Sequence, residues 1–326
     1  MDSCLVGSEM CIRDSLNNFP DLESSKTGWP WQPASTADSD TSADPSNWPR
    51  ISVVTPSYNQ AEYLEETIRS VLLQGYPNLE YVIIDGGSTD GSVDIIRKYE
   101  PWLTYWVSEK DDGQTDAINK GLLRTTGEIQ AYLNSDDCYT ENALRTVAQY
   151  FSTNPQVAMA YGTIDYIDAQ SRELGDGIYK PRSHPYTFAD FLAGQIVIPQ
   201  PAAFWRSLVV DELGLFRDDL HYVMDYEFWL RVGNKFPIAG LDSVLALHRI
   251  TETQKGNMLA HLLGPEMVKV LDDFYADSTL EPNVLALKNQ AYASAYYRGA
   301  ASFFRSAQLH PENQRTAQSW FLQAAK

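Results

Sequence analysis

Two adjacent aspartates, Asp136 and Asp137, are the residues whose type and spacing point most directly to chemistry. They follow the apolar run Ile129–Leu133 and therefore fall in the loop after a predicted buried strand. Neighbouring carboxylates repel each other unless a cation or solvent screens them. Mg²⁺ and Mn²⁺ prefer carboxylate oxygens and share the phosphate oxygens of a ligand. The pair thus predicts a metal–diphosphate site, with a cap on the helix predicted from Thr140 as the structural alternative for Asp137.

Two further polar loops follow predicted strands earlier in the chain. Asp85–Gly91 (DGGSTDG) comes after a buried apolar run, and Thr55–Asn59 (TPSYN) ends the β-branched run that begins at Ile51. Glycines let the backbone approach a flat ligand closely, and Asp85 could accept a hydrogen bond from the N–H of a base such as uracil. Tyr58 could pack on that base. An ordinary glycine turn and a core tyrosine explain the same residues equally well.

Alternating strands and helices must position these three loops. The predicted strands are Ile51–Thr55, Tyr81–Asp85, Leu103–Val107 and Ile129–Leu133, and the predicted helices are Ser92–Tyr99, Thr115–Leu123, Thr140–Phe151 and one with Leu64, Ile68, Val71 and Leu72 on its apolar face. Such alternation predicts an α/β domain with a mainly parallel central sheet flanked by helices. In such sheets, ligands bind beyond the carboxyl ends of the strands, where all three loops fall.

Composition divides the chain into three parts. Leu5–Ser15 (LVGSEMCIRDS) resembles a translated sequencing-library adapter, and residues 16–49 are rich in Ser, Asp, Pro and Thr. We therefore expect residues 1–49 to be an artefact followed by a disordered lead-in. Residues 50–250 are predicted to form the main domain, with halves at 50–150 and 151–250. Residues 251–326 are predicted to be a helical C-terminal extension.

Three motifs in this order carry a family resemblance: Val54–Asn59 (VTPSYN), Asp85–Gly91 (DGGSTDG) and Ser135–Asp137 (SDD). Together they resemble the family 2 glycosyltransferases, over about Arg50–Arg249. The resemblance implies the GT-A fold, in which a Rossmann-like nucleotide-sugar half (50–150) is followed by an acceptor half (151–250). It also implies transfer of a sugar, most simply a hexosyl group, from a nucleotide-diphosphate donor with inversion of the anomeric centre. Ser108–Gly121 resembles a further family segment along the donor site.

The resemblance implies roles for individual residues of the first half. Asp85 would bind the nucleobase, and Thr55 and Pro56 would line its pocket. Asp136 would contact the ribose or the sugar, and Asp137 would hold Mg²⁺ or Mn²⁺, which acts as a Lewis acid on the departing diphosphate. The further donor contacts implied are Tyr58, Asn59, Gly86, Asp116 and Lys120.

The second half supplies the predicted base. An inverting transfer needs a group on the opposite face of the donor sugar to remove the acceptor hydroxyl proton. The candidate is Asp225 in His221–Arg231 (HYVMDYEFWLR), where many family members read Glu-Asp and this chain reads Met-Asp. A helix cap is the structural alternative for Asp225, and Glu227 is a second candidate base. His248 is a candidate metal ligand, and Arg249 is a candidate diphosphate contact.

Charge and cysteine content restrict the partners. The chain has 326 residues and a formal net charge of −18, which argues against nucleic acid or an anionic lipid surface as the main partner. No apolar run is long enough to span a bilayer, and the scarce cysteines favour a reducing cytoplasm.

The resemblance favours a UDP-sugar donor and implies a glycan or lipid-linked acceptor in cell-envelope polysaccharide synthesis. It also implies work in the cytoplasm, with possible peripheral association at the inner face of the membrane. A non-catalytic sugar-nucleotide binder or scaffold with the same fold is the alternative. Loss of the base or of the metal aspartate would favour that alternative, and this chain keeps both Asp225 and Asp137.

Overall fold

The computed structural model describes residues 19–20, 28–32, 48–175, 186–251, 254–306 and 313–325. Its centre is an eight-stranded sheet, whose strands in chain order are β1 (Ile51–Ser57), β2 (Leu79–Asp85), β3 (Tyr105–Ser108), β4 (Ile129–Tyr132), β5 (Cys138–Tyr139), β6 (Met159–Ile167), β7 (Ala203–Arg206) and β8 (Ile238–Arg249). Their order in space is β3-β2-β1-β4-β7-β6-β8-β5.

Helices cover the sheet and form the C-terminal part of the chain. They are α1 (Leu64–Leu72), α2 (Ser92–Tyr99), α3 (Gln114–Leu122), α4 (Ala143–Thr153), α5 (Phe188–Leu192), α6 (Leu208–Leu213), α7 (Met224–Lys235), α8 (Lys255–Met258), α9 (Leu263–Tyr275), α10 (Pro282–Leu285), α11 (Lys288–Ser306) and α12 (Asn313–Ala324). Short 3-10 turns lie at Glu100–Trp102, Gln200–Ala202 and Ala260–Leu262. Within the described ranges, no helix is both long enough and apolar enough to cross a bilayer.

The first half of the sheet is parallel and the second half is mixed. β1 pairs in parallel with β2 and β4, and β2 pairs in parallel with β3. Beyond β4, β7 runs antiparallel to β4 and β6, β8 runs parallel to β6, and β5 runs antiparallel to β8. The predicted α/β sheet is therefore confirmed, and its parallel part is the half that carries the Thr55–Asn59 and Asp85–Gly91 loops.

Alternate residues of the central strands enter two apolar cores, one on each face of the sheet. Val54 and Ile84 pack with the helices α3 and α7, whereas Val53 and Ile83 pack with α1 and α4. Successive side chains of a strand point to opposite faces, so a strand covered by helices on both sides must be apolar at nearly every position. This explains the unbroken runs at β1 and β2.

The helices beyond residue 251 pack on the second half of the domain. Met267 and Leu271 of α9 and Ala295 of α11 belong to the same buried cluster as Trp229 of α7. Burial of such a contiguous apolar cluster is the main favourable term in folding. The C-terminal helices therefore share a core with the domain that they follow.

Part of the segment expected to be disordered is instead packed on the domain. The guanidinium of Arg69, in α1, donates to the carbonyl oxygens of Pro30 at 3.1 Å and Trp31 at 3.2 Å. Trp31 is buried, and the indole N–H of Trp29 donates to the Tyr139 carbonyl at 2.7 Å. The expectation of disorder is wrong for these residues. The Trp31 side chain is buried on the domain, and backbone carbonyls of the same segment accept from the buried Arg69. Leu5–Ser15 lies outside the described residues.

Candidate active site

Asp85 organises the loop after β2. Its buried carboxylate accepts from the backbone N–H groups of Gly87 at 3.1 Å and Ser88 at 2.9 Å. The hydroxyls of Ser88 at 2.5 Å and Ser108 at 2.7 Å also donate to it. These contacts fix the loop: three of them go to Oδ2, and Oδ1 accepts from the Ser88 hydroxyl alone, which leaves it able to accept one further N–H.

The loop after β1 lies against the loop after β2. The side-chain oxygen of Asn59 accepts from the Thr89 N–H at 2.9 Å, and the Asn59 N–H donates to the Ser88 hydroxyl at 2.7 Å. Tyr58 is exposed, with 62% of its surface accessible, so it stands free beside the loop. Thr55 is fully buried and its hydroxyl lies 3.0 Å from that of Tyr81. The Thr55 side chain therefore faces the core, and Asn59 holds the loop.

The carboxylate of Asp111, just before α3, lies against Gly86, which follows Asp85 in the chain. A Cβ atom at Gly86 would lie 2.7 Å from Oδ2 of Asp111, so only glycine allows this approach. Burial, with repulsion from Asp116 and Asp85, raises the pKa of Asp111. Lys120 forms an ion pair with Asp116 at 3.0 Å. Its positive charge opposes these effects and lowers the pKa of Asp111. The predicted donor contacts Gly86, Asp116 and Lys120 are thus brought together, and Asp111 joins them.

Asp137 is fully buried at the end of the parallel half. Its Oδ1 accepts from the Arg249 N–H at 2.9 Å. Its Oδ2 has no hydrogen-bond partner among the described residues. The Asp137 carbonyl accepts from the Thr67 hydroxyl at 2.7 Å, which fixes the loop from α1. An unpaired buried carboxylate oxygen is costly, so Oδ2 is available for a cation.

His248 lies directly beside that carboxylate. Its Nδ1 is 3.0 Å from Oδ1 of Asp137 but lacks the direction of a hydrogen bond. Burial alone would lower the pKa of His248, and the Asp137 and Asp136 carboxylates outweigh it and raise the pKa. Burial and the Asp137 carboxylate raise the pKa of Asp136 well above its usual range. Three of the predicted donor and metal residues, Asp136, Asp137 and His248, therefore lie together in one cluster.

Arg249 holds this loop in place and does not face a ligand. It is fully buried, and its Nε donates to the Asp136 carbonyl at 2.8 Å. Its terminal nitrogens donate to the Asp168 carbonyl and to the hydroxyl of Ser171, each at 2.9 Å, and to Glu66 at 2.9 Å. The prediction of Arg249 as a diphosphate contact is therefore wrong, because every arm of its guanidinium is already engaged.

Asp225 lies in the first turn of α7, where Val223 and not Asp225 is the N-cap. Its half-buried carboxylate accepts from the Tyr226 N–H at 2.7 Å. Burial raises the pKa of Asp225, against the opposing effects of that bond and of Arg298 and Lys255. A carboxylate with a raised pKa is a better proton acceptor.

Glu227 is a structural residue and not a second base. It is buried, and its two oxygens pair with Arg231 at 2.7 and 2.9 Å. Arg231 also donates to the Leu213 and Leu215 carbonyls. The sequence could not separate Glu227 from Asp225 because both fall in one helical turn, and only the packing shows which carboxylate is already paired.

A chain of polar side chains crosses the site. The Lys255 ammonium donates to Gln114, whose amide donates to Asn134 at 2.6 Å. Asn134 donates to Gln200 at 3.0 Å, and Gln200 donates to the Tyr132 carbonyl at 2.8 Å. Burial lowers the pKa of Lys255, with Asp225 opposing it. Gln114 lies within Ser108–Gly121 and Asn134 directly precedes Ser135–Asp137, so the sequence indicated both, whereas nothing local marks Lys255.

The acidic residues partly fit a divalent cation. Asp137 has the unpaired Oδ2, and the His248 Nδ1 lies 3.0 Å from the other oxygen of the same carboxylate. No group of three or more potential metal ligands is assembled within the described residues. Mg²⁺ bound to a nucleotide needs only one or two carboxylates, since phosphates and water complete its shell. The site therefore suits a cation that arrives with a diphosphate.

An α/β sheet with acidic loops at its carboxyl edge and an aspartate brought in from its second half defines a GT-A glycosyltransferase. The Glycosyl transferase family 2 profile matches residues 52–211. An uncharacterized glycosyltransferase of Mycobacterium tuberculosis is 33% identical over 186 residues, which cover 56% of this chain and 68% of that protein. The chain therefore belongs to glycosyltransferase family 2.

A second relative is also a glycosyltransferase, and solved structures share the fold. The putative teichuronic acid biosynthesis glycosyltransferase TuaG of Bacillus subtilis is 34% identical over 155 residues, covering 46% of this chain and 60% of TuaG. TarS 1-349 of S. aureus in complex with UDP-GlcNAc superposes with a TM-score of 0.61 at 19% identity, covering 85% of this chain and 82% of that one. The chain covers 43% of a longer TarS structure.

An archaeal structure covers almost the whole chain. The mannosyltransferase PcManGT of Pyrobaculum calidifontis, in complex with GDP-Man and Mn²⁺, superposes with a TM-score of 0.59 at 19% identity. The match covers 98% of this chain and 94% of that protein. At such low identities these structures establish the common fold and leave substrate choice to the residues of the site.

Proposed function

We propose that this chain transfers a hexosyl group from a nucleotide-diphosphate sugar to a hydroxyl of a glycan or lipid-linked acceptor, with inversion. Asp225 acts as the general base, and Asp137 and His248 hold a divalent cation beside the donor diphosphate. Asp85, Gly86, Asp116, Lys120 and Asp136 are the proposed donor contacts, together with Pro56, Tyr58 and the backbone at Thr55 and Asn59.

One observation carries this proposal: the fully buried carboxylate of Asp137, at the carboxyl end of the parallel strands, keeps Oδ2 without a hydrogen-bond partner among the described residues. Burial raises the pKa of Tyr132, and both Asp225 and Asp137 raise it further. Tyr132 ends β4, immediately before the loop that carries Asp137. The influence of both carboxylates on Tyr132 supports a proposed base and a proposed cation site near the end of the same strand.

Asp225 is the proposed general base for attack by the acceptor hydroxyl. The Asp225 carboxylate would take the proton of the acceptor hydroxyl while that oxygen attacks the anomeric carbon. The bond between the anomeric carbon and the diphosphate oxygen breaks in the same step, so the diphosphate leaves with the electron pair. The raised pKa of Asp225 favours this role, because proton transfer is most effective when the base is matched to the working pH.

The cation contributes charge neutralisation on the departing diphosphate when it is bound. Asp137 and His248 would hold it, and Arg249 would keep their loop in position. The Mn²⁺ bound with GDP-Man in PcManGT supports a divalent cation as the class of cofactor. UDP-GlcNAc in TarS and the putative role of TuaG in teichuronic acid synthesis favour a UDP-sugar donor and a cell-envelope polysaccharide as acceptor.

Asp225→Asn tests the base and separates catalysis from mere binding. We expect sugar transfer to fall by roughly a hundredfold or more, while stabilisation by the UDP-sugar and Mn²⁺ in thermal unfolding persists. Asp218→Asn, at an exposed aspartate of the same half, is the matched control and should retain activity. Full transfer by Asp225→Asn would refute the base. No transfer by the parent protein to any acceptor would favour the non-catalytic binder.

Asp137→Asn tests the cation site. We expect the dependence of donor binding on Mn²⁺ to be lost, because the neutral amide replaces the unpaired carboxylate oxygen. Titration of Mn²⁺ against the donor-induced change in melting temperature measures this directly. Screening UDP-, GDP- and dTDP-sugars in the same assay identifies the nucleotide. An unchanged Mn²⁺ response in the variant would remove Asp137 from the site.

A further inference from the structure

Glu266 makes an unusual set of contacts at the start of α7. It belongs to the first turn of α9, and only 9% of its surface is exposed. Its carboxylate accepts from three consecutive backbone N–H groups: His221 at 2.9 Å, Tyr222 at 2.7 Å and Val223 at 3.1 Å. Hydrogen bonds to an ionised carboxylate are shorter and stronger than neutral ones. One side chain of the C-terminal extension thus fixes three successive peptide units.

These peptide units lead directly into the residue proposed as the base. Val223 is the N-cap of α7, and its apolar side chain makes no capping hydrogen bond to the helix. Asp225 follows two residues later, in the first turn. The direction in which α7 begins is therefore set largely by what holds residues 221–223, and the carboxylate that holds them comes from more than 40 residues away.

A second contact from the extension reaches the same segment. The Tyr222 hydroxyl donates to the Gly256 carbonyl in α8 at 2.9 Å. Gly256 follows Lys255, whose ammonium contacts Gln114 on the donor side of the site. The extension is therefore attached to the Asp225 segment at two points and to the donor half at a third.

We propose that Glu266 is a positioning residue for Asp225 and that the C-terminal extension thereby completes the active site. The proposal rests on the assignment of Asp225 as the base. Its physical basis is that a base must lie within hydrogen-bonding reach of the acceptor hydroxyl, and a misplacement of 1 Å can cost about a hundredfold in rate. Donor binding uses loops that Glu266 does not touch.

Glu266→Gln in the full-length protein is the test. The side-chain shape is kept, but the amide has one acceptor oxygen for three donors. We expect kcat for transfer to fall by roughly ten- to a hundredfold, with the donor KM unchanged. Hydrogen exchange of the amides at residues 221–223 should quicken in the same variant. Asp272→Asn is the control on the same helix, since this carboxylate accepts from the Tyr292 hydroxyl and not from residues 221–223, and the substitution should change neither quantity.

Tyr222→Phe tests the second attachment and stays informative if Glu266→Gln folds poorly. It removes the hydroxyl that donates to the Gly256 carbonyl and should lower kcat in the same direction by a smaller factor. Unchanged kcat and unchanged exchange in a folded Glu266→Gln protein would overturn the positioning role. Normal transfer by Asp225→Asn would instead overturn the base assignment, so the two failures are distinguishable.

Discussion

At the scale of single residues, the site combines carboxylates that differ in what surrounds them. Asp85 is surrounded by donors from its own loop, Asp137 keeps one oxygen unpaired, and Asp225 accepts one described hydrogen bond in a half-buried position. Each environment suits a different task. A carboxylate with several donors shapes a loop, an orphaned one suits a cation, and a desolvated one with few donors suits proton transfer.

The raised pKa of Asp225 predicts a pH dependence of both activity and stability. Because the base must be ionised, kcat/KM for transfer should fall on the acid side at a pH above about 4, the usual pKa of aspartate. A raised folded-state pKa also means that stability is lost as pH rises through it. Asp225→Asn should therefore melt at a higher temperature than the parent protein at neutral pH.

Two measurements check this prediction. The pH profile of kcat/KM locates the acid limb, and melting curves of parent and variant at several pH values compare stability. The difference in melting temperature should shrink below about pH 4, where the parent carboxyl is protonated in both states. A variant that melts at or below the parent temperature at neutral pH would contradict a desolvation cost for the ionised carboxylate of Asp225.

At the scale of elements, Arg249 joins parts of the chain that are far apart in sequence. It ends β8, and its guanidinium contacts the loop after β4, the turn after β6 and Glu66 in α1. The Glu66 contact spans 183 residues. Buried ion pairs contribute little net stability against an apolar pair of equal shape, but removal of one partner leaves the other charge unpaired.

Arg249→Met should therefore be strongly destabilising. We expect a loss of about 3–5 kcal/mol in the free energy of unfolding, since Glu66 would be left buried without its partner. Denaturant titration measures the loss. Arg172→Met is the control. It removes an exposed arginine that pairs with Asp168, and it should leave the denaturant concentration at the midpoint of unfolding unchanged. Equal midpoints for Arg249→Met and the parent protein would show that the loop is held by other contacts.

At the scale of the whole molecule, segments from both ends of the described chain hold the central domain. Phe19 contacts Tyr99 and Trp102 on one side, and the residues around Trp31 surround Arg69. On the other side, α9 and α11 complete the core around Trp229. The domain that carries the sequence motifs is therefore only part of the folded unit.

Two N-terminal truncations test the contribution of the first segment. Deletion of residues 1–47 should lower the melting temperature by about 5 °C or more, because Arg69 loses carbonyl acceptors and buried Trp31 is removed. Deletion of residues 1–15, the adapter-like stretch, should leave the melting temperature unchanged. Equal melting temperatures for the two truncated proteins would contradict a stabilising role for residues 19–32.

Local pattern was sufficient for the first half of the fold. The predicted helix Ser92–Tyr99 has the observed bounds, and the predicted strands of the parallel half lie within a few residues of the observed ones. The reason is that hydrophobic periodicity and turn residues act over a few positions along the chain. The same local reading found the loops of Asp85 and Asp137, since both end buried strands.

By itself, the sequence determined the family, the α/β layout of the first half and the strand-end aspartates, because those signals are contained in short segments. Only the tertiary structure decided which charged groups remain free. Glu227 and Arg249 looked like candidate site residues until their partners were known, and Lys255 and Glu266 carried no local sign. A side chain's role depends on neighbours that folding brings from distant parts of the chain, and no local spacing encodes those encounters.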